Sequence, residues 1–237
     1  MNSAKLLVAL AATGLVATSA FAQKSAFEGF YGQIATGYEA NNVQSNTTTF
    51  TTVPAGYGAT YSNPSVNFSN APLIAGLGYT FSLTNQFTLG LGADYSFITG
   101  KSGNFTSTST SPDADPNNAY YKTSNRFNVF LTPGYVIDKD KLAYLKAGYS
   151  TQKLEGFDAT NGASVGSENV SGYILGLGYK QMITSGLYGF GEVNYMSYSK
   201  ANLTTSGPCS MGCTSYSGTS SAGSTAYNLL VGLGYKF

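Results

Sequence analysis

Leu73-Ile74-Ala75-Gly76-Leu77-Gly78-Tyr79-Thr80-Phe81-Ser82-Leu83 is followed, after Thr84-Asn85-Gln86, by Phe87-Thr88-Leu89-Gly90-Leu91-Gly92-Ala93-Asp94-Tyr95-Ser96-Phe97. In the first arm the odd positions from Leu73 to Leu83 are apolar, while Ile74, Gly76, Gly78, Thr80 and Ser82 fall between them. The second arm repeats the rule, with Phe87, Leu89, Leu91, Ala93, Tyr95 and Phe97 on one face and Thr88, Gly90, Gly92, Asp94 and Ser96 on the other. A period of two is the signature of a strand with two unlike faces. Two such arms around a short polar break predict a hairpin.

The same alternation recurs along the chain. It recurs in 126–137, where Phe127, Val129, Leu131, Pro133, Tyr135 and Ile137 oppose Arg126, Asn128, Phe130, Thr132, Gly134 and Val136. It is also present in 29–39, 142–151, 172–181, 187–197 and 225–237, which makes eight strands. The connections between them run long, short, long, short, long, short, long. The short ones lie near Thr84-Asn85, Asp138-Lys139-Asp140 and Thr184-Ser185-Gly186. The long ones, 40–71, 99–121, 152–170 and 199–224, are rich in Ser, Thr, Asn and Gly.

Composition says which solvent these strands meet. Of 237 residues only 10% are charged, and the formal net charge is +1; soluble domains carry about 25% charged residues. No run of 18 apolar residues follows residue 22, so a membrane-spanning helix is excluded. Low charge with alternating strands predicts an all-β fold: an eight-stranded antiparallel transmembrane β-barrel with short periplasmic turns and four long extracellular loops. Aromatic spacing agrees. Phe30/Tyr38, Phe87/Tyr95, Phe127/Tyr135 and Tyr227/Tyr235 stand eight residues apart on outward faces, about 21 Å along the membrane normal for tilted strands. That separation suits an apolar band with an aromatic girdle at each edge.

The first 22 residues read as a cleaved export signal. Lys5 is the basic end, Leu6–Ala17 the apolar stretch, and Ala20-Phe21-Ala22 the small-x-small cleavage site, so 23–237 is the expected barrel domain. Cleavage removes Lys5 and leaves basic and acidic side chains equal in number. With an even strand count, both termini are expected in the periplasm.

Histidine is absent, which removes the commonest general base and metal ligand. No catalytic residue, metal ligand or cofactor is expected, and a balanced chain with a single Arg offers no footprint for nucleic acid. The Gly-Leu-Gly-Tyr units at 76–79, 176–179 and 232–235 complete no phosphate-binding motif; inward glycines there leave room for bulky neighbours.

Charges within the strands, Asp94, Arg126, Lys146, Lys180, Glu192 and Lys236, all fall opposite the apolar face. Asp94 and Arg126 lie toward the outer end of neighbouring strands, and Lys146 and Glu192 lie above the periplasmic turns. An eight-stranded barrel is filled by its own side chains, so Asp94, Arg126, Lys146 and Glu192 are expected to pair in the lumen. Such pairs can act as a structural plug or as a gate. Cys209 and Cys213 sit in the last long loop; a small-ring disulfide and free thiols are both open, with the disulfide favoured in an oxidising compartment. Phe50, Tyr57, Tyr61 and Phe68 in the first long loop, and Asp113 and Asp115 in the second, could contact a surface ligand or serve as inert cover.

Gly29-Phe30-Tyr31-Gly32, Leu187-Tyr188-Gly189-Phe190-Gly191-Glu192-Val193-Asn194-Tyr195 and Val231-Gly232-Leu233-Gly234-Tyr235-Lys236-Phe237 together resemble the small outer-membrane β-barrel family of Gram-negative bacteria, which includes OmpA-like barrel domains and surface antigens. Leu229, Val231, Leu233, Tyr235 and the terminal Phe237 resemble the sorting signal read by the barrel-assembly machinery. The resemblance implies an outer-membrane location, lipid and lipopolysaccharide as surroundings, and an inward acid at Glu192 paired with a basic residue. It implies a surface-exposed structural protein, with a small porin passing ions or small solutes as the alternative. The sequence ends with the barrel, unlike full-length OmpA-type proteins, which argues against cell-wall anchoring. Barrel enzymes of the outer membrane resemble one another in needing a catalytic His, so enzymatic activity is not expected.

Overall fold

Alternating strands with one apolar face can satisfy every backbone hydrogen bond in a membrane only by closing into a ring. The computed structural model describes residues 25–54, 56, 58–110, 116–209 and 212–237. The export segment 1–22, Tyr57, Asp113 and Asp115 lie outside the described residues. In chain order the strands are β1 (Gly29–Val43), β2 (Asn46–Val53), β3 (Ala59–Asn63), β4 (Val66–Asn70), β5 (Leu73–Ser82), β6 (Phe87–Ser96), β7 (Gly100–Lys101), β8 (Phe105–Ser109), β9 (Asn117–Asp138), β10 (Lys141–Asp158), β11 (Ser164–Met182), β12 (Leu187–Pro208) and β13 (Ser215–Lys236). Eight of them, β1-β5-β6-β9-β10-β11-β12-β13, pair antiparallel in that order, and β13 returns to β1 through a ladder from Tyr31↔Lys236 to Val43↔Ser224. The ring is closed.

Within the band between the aromatic girdles the apolar face points out. Phe30, Ile34, Leu77, Leu91, Leu131, Leu145, Leu177 and Val231 are all exposed on the outer wall. A soluble monomer seldom exposes an apolar patch beyond a few hundred Å²; here the belt runs round the whole barrel. The aromatics pair across strands at its two edges, Phe87 with Tyr135 at 5.5 Å below and Tyr195 with Tyr227 at 4.7 Å above.

Three short connections turn the lower end. At two of them a threonine hydroxyl accepts the backbone N–H three residues on: Thr84 Oγ1 from Phe87 at 3.0 Å and Thr184 Oγ1 from Leu187 at 3.1 Å. A side-chain oxygen here closes the turn in place of a carbonyl.

Much of each long connection is extended strand rather than irregular loop among the described residues. β10 and β11 continue through 152–170 and are joined by 159–163; β12 and β13 continue through 199–224 and are joined by 209–214. The stretch 40–71 contributes the end of β1 with β2, β3 and β4, and 99–121 contributes β7, β8 and the start of β9. These segments extend the wall upward: β2 pairs with the outer end of β13, β3 with β2, and β8 bridges β3 to β9. The sequence pattern misleads here because the polarity of the two faces inverts above the upper girdle. On β10 the outward row Leu145, Ala147, Tyr149 becomes Thr151, Lys153, Glu155, while the buried inward row passes from Tyr144 and Lys146 to Leu154. Once water replaces lipid outside, apolar side chains gain by turning inward. Val43, Phe68, Tyr121, Leu154, Val170 and Leu203 fill the interior of this upper section.

Inward glycines in the membrane band are sockets for rings. A Cβ on Gly178 would lie 2.3 Å from the Tyr144 ring, and one on Gly234 would lie 2.2 Å from the Tyr188 ring. The Gly-Leu-Gly-Tyr repeats thus seat large side chains projecting from the next strand. Gly178→Val should overpack this contact and lower stability by about 1–3 kcal/mol, measured as an earlier midpoint of urea unfolding from vesicles; an unchanged midpoint would show that Tyr144 is not seated there.

Candidate functional site

The lumen carries two buried polar networks, one above the other. The lower centres on Lys146, projecting inward from β10. Its ammonium donates to Asp94 Oδ2 on β6 at 3.0 Å and to Glu192 Oε1 on β12 at 2.8 Å, with all three side chains at most 5% exposed. Glu192 also accepts from Tyr144 Oη at 2.8 Å and from Asn194 Nδ2 at 2.7 Å, and Asp94 accepts from Asn128 Nδ2 at 2.6 Å. The ammonium lies 3.9 Å from the centre of the Phe130 ring. An isolated buried ion costs several kcal/mol; here each carboxylate has a cation and at least one neutral donor.

The upper network centres on Arg126, which is ion-paired with Glu39 on β1. Its Nη2 donates to Asn41 Oδ1 at 3.2 Å and to Gln152 Oε1 at 3.1 Å, and Gln152 donates on to Ser224 at 3.2 Å. The network therefore ties β1, β9, β10 and β13 together across the lumen, at the level where the apolar filling of the upper section begins.

Lys180 forms neither an ion pair nor a hydrogen bond with a described side chain. Its ammonium lies over three tyrosine rings, 4.3 Å from Tyr31, 5.0 Å from Tyr188 and 5.3 Å from Tyr144. Cation–π attraction of this kind strengthens when the cation is desolvated. Among the described residues, the buried charges are three cations (Arg126, Lys146, Lys180) and three anions (Glu39, Asp94, Glu192). Among the described residues no three His, Cys, Asp or Glu side chains converge to hold a metal.

The structure brings together Asp94, Lys146 and Glu192 of the four lumen residues picked from the sequence and sets Arg126 apart. The adjacency of Asp94 and Arg126 in sequence pattern does not make them partners: Asp94 reaches Lys146 two strands away. Arg126 takes Glu39, which pattern reading overlooked. The signal was present, since Tyr38 faces outward and the next residue must face in. Gln152 and Asn41, in stretches that read as loop, could be found only once β10 and β1 were known to continue.

Leu229, Val231, Leu233, Tyr235 and Phe237 form an exposed outward row, and the Phe237 N–H donates to Phe30 O at 2.9 Å, at the seam where the ring closes. Cys209 and Cys213 flank the tip between β12 and β13 with their Cα atoms 5.4 Å apart, a separation that a disulfide spans.

A closed eight-stranded ring with an apolar belt outside and a charged lumen within is the architecture of the outer-membrane β-barrels. Comparison with solved structures agrees. The outer membrane protein OprG from Pseudomonas aeruginosa superposes with a TM-score of 0.51 at 16% identity, covering 89% of this chain and 97% of that one. The outer membrane protease OmpT from Escherichia coli gives a TM-score of 0.54 at 10% identity, covering 92% and 99%. No protein-family model matches the sequence, and comparison with curated proteins finds no match. At such identities the likeness extends to the fold.

Proposed function

We propose that the mature chain, 23–237, is a single integral outer-membrane domain that displays its upper strands at the cell surface and whose lumen is closed to solutes. The observation that carries the reading is the ion pairing of five of the six buried lumen charges among the described residues, Lys180 alone resting on tyrosine rings. Lys146 spans the gap between β6 and β12, Arg126 is tied to β1 above it, and apolar side chains fill the section beyond. A water-filled channel leaves charges free to line it; a plug neutralises them across the lumen. Lys146 and Glu192 are the central pair of that plug.

The remaining assignments follow from this placement. The 1–22 segment directs export, both termini lie in the periplasm, and the Leu229–Phe237 row is the signal for the barrel-assembly machinery. In that oxidising setting Cys209 and Cys213 form a disulfide, and lipid with lipopolysaccharide surrounds the belt. The sequence has no His, so the protease chemistry in OmpT's name is not carried over to this chain.

Single-channel recording of the refolded protein in a planar bilayer tests the closed lumen. Wild-type protein, shown to be folded by heat-modifiable gel migration, should give a silent bilayer. Lys146→Ala and Glu192→Ala should give discrete openings. Regular openings in the wild type, changed in size or ion preference by either variant, would replace the plug with the small porin.

A further inference from the structure

Above the upper girdle the ring changes members. There β2, β3 and β8 take the places of β1, β5 and β6, so the wall runs β9-β10-β11-β12-β13-β2-β3-β8. The β11–β12 ladder ends at Gly172↔Tyr198, and above it the Glu168 carboxylate accepts the Asn202 N–H across the same gap. Over the apolar filling, the inward rows of all eight strands line a cup with about 570 Å³ of free space counted to its open side, toward the small end of ligand pockets. None of the described residues lining it is charged.

The two sides of the cup differ. On one side Thr48 of β2, Thr205 of β12 and Ser220 of β13 present hydroxyls. Thr48 stands directly opposite Ser220 in the ladder, and Thr205 is opposite Gly218, one step along the inward row from Ser220. Thr48 Oγ1 accepts from Asn63 Nδ2 at 2.8 Å and keeps its own proton to donate. Ser220 is only 7% exposed, and neither its hydroxyl nor that of Thr205 has a hydrogen-bond partner among the described residues. Across the lumen β8 and β9 present rings. Buried Tyr121 stacks behind Phe105 at 5.0 Å, and half-buried Phe105 keeps its remaining surface toward the cup. Tyr61 of β3 stands between the two sides, T-shaped against Phe50 at 5.6 Å.

This lining narrows the occupant. An apolar molecule would leave the Thr205 and Ser220 hydroxyls enclosed without partners, which is costly. An ion would find no opposite charge to offset its desolvation. A neutral molecule with one apolar face and a rim of hydroxyls satisfies both sides, and a pyranose sugar is built in that way.

We infer that the cup is a binding site for one neutral pyranose residue, its C–H face against Phe105 and its hydroxyls on Thr48, Thr205 and Ser220. The cup lies above the filled lumen, so it holds its ligand without passing it inward. Only its exposure at the cell surface rests on the placement proposed above.

Saturation-transfer NMR of the mature protein in phosphocholine micelles tests the site. Both ends of the barrel meet solvent there, so an error in the membrane placement does not alter the result. The probes are the methyl glycosides of glucose, galactose, mannose and N-acetylglucosamine, with methyl glucuronide as the charged control. At least one neutral glycoside should bind, with saturation concentrated on its ring C–H protons, and the glucuronide should bind more weakly. Thr205→Val/Ser220→Ala removes two hydroxyls with little change in volume and should weaken binding about thirtyfold, the loss of two hydrogen bonds. Heat-modifiable migration is recorded first for both proteins; if the double variant does not fold, Ser220→Ala alone replaces it, with a loss of about fivefold expected. Binding of none of the four glycosides, undiminished binding by the folded variant, or equal binding of the glucuronide would overturn the site. The disaccharide carrying the bound sugar at its non-reducing end then separates the sources: its binding assigns the site to a glycan terminus, and its exclusion assigns it to the free sugar.

Discussion

Lys146→Ala should destabilise the folded barrel by about 3–5 kcal/mol, the usual loss when one partner of a buried ion pair is removed. Lys146 is the only cation within ion-pair distance of Asp94 and Glu192 among the described residues, at 3.0 and 2.8 Å. Its loss leaves two carboxylates facing each other across a narrow lumen, with Asn128, Tyr144 and Asn194 as neutral donors. Those donors hold each carboxylate but cannot cancel the repulsion. The triple variant Lys146→Met/Asp94→Asn/Glu192→Gln should recover most of the loss, because replacing a whole buried ion cluster with neutral groups is often close to neutral in stability. Urea unfolding from vesicles, followed by circular dichroism, gives both numbers. A loss below about 1 kcal/mol would match a solvent-exposed pair and would mean that water reaches the carboxylates, which removes the basis for a closed lumen.

Leu131→Arg should destabilise the vesicle-inserted protein by about 2–4 kcal/mol, the cost of a cation on the lipid face near the bilayer midplane. Leu131 lies midway between the girdle residues Phe127 and Tyr135 on β9 and is 47% exposed on the outer wall. A surface substitution in water usually changes stability by no more than about 0.5 kcal/mol, so the size of the effect identifies the solvent. Thr219→Arg, on the exposed outer face of β13 above the girdle with Thr204 and Thr49 opposite it, is the internal control and should be nearly neutral. Comparable small effects at both positions would show that the belt does not meet hydrocarbon.

Much of the fold was legible in the sequence because lipid makes an unusual demand. In the band, side chains facing out must be apolar and those facing in can be polar, so Leu73–Phe97 and 126–137 display a simple period of two. The Gly-Leu-Gly-Tyr repeats were legible for the same reason: an inward glycine beside an outward ring has few explanations on a strand. Above the girdle this clarity ends. Thr and Ser serve on either face of a strand surrounded by water, and the apolar residues that core the upper section, such as Val43, Leu154 and Leu203, are single positions in polar stretches. The text reads as loop although the backbone remains extended.

The candidate site divides in the same way. The sequence alone determines that Asp94, Arg126, Lys146 and Glu192 face inward, because parity follows from the alternation and a charge on the lipid face is expensive. It also determines the order of the eight strands and the ends at which they turn. Partner choice belongs to the tertiary structure. Strand tilt and register decide which inward residues share a height, and a long side chain such as that of Lys146 then selects among several acids. Hence Lys146 joins Asp94 to Glu192, while Arg126 takes Glu39 from β1. The closure of β13 on β1 is what brings that glutamate, near the start of the chain, into the same lumen as residues more than a hundred positions later.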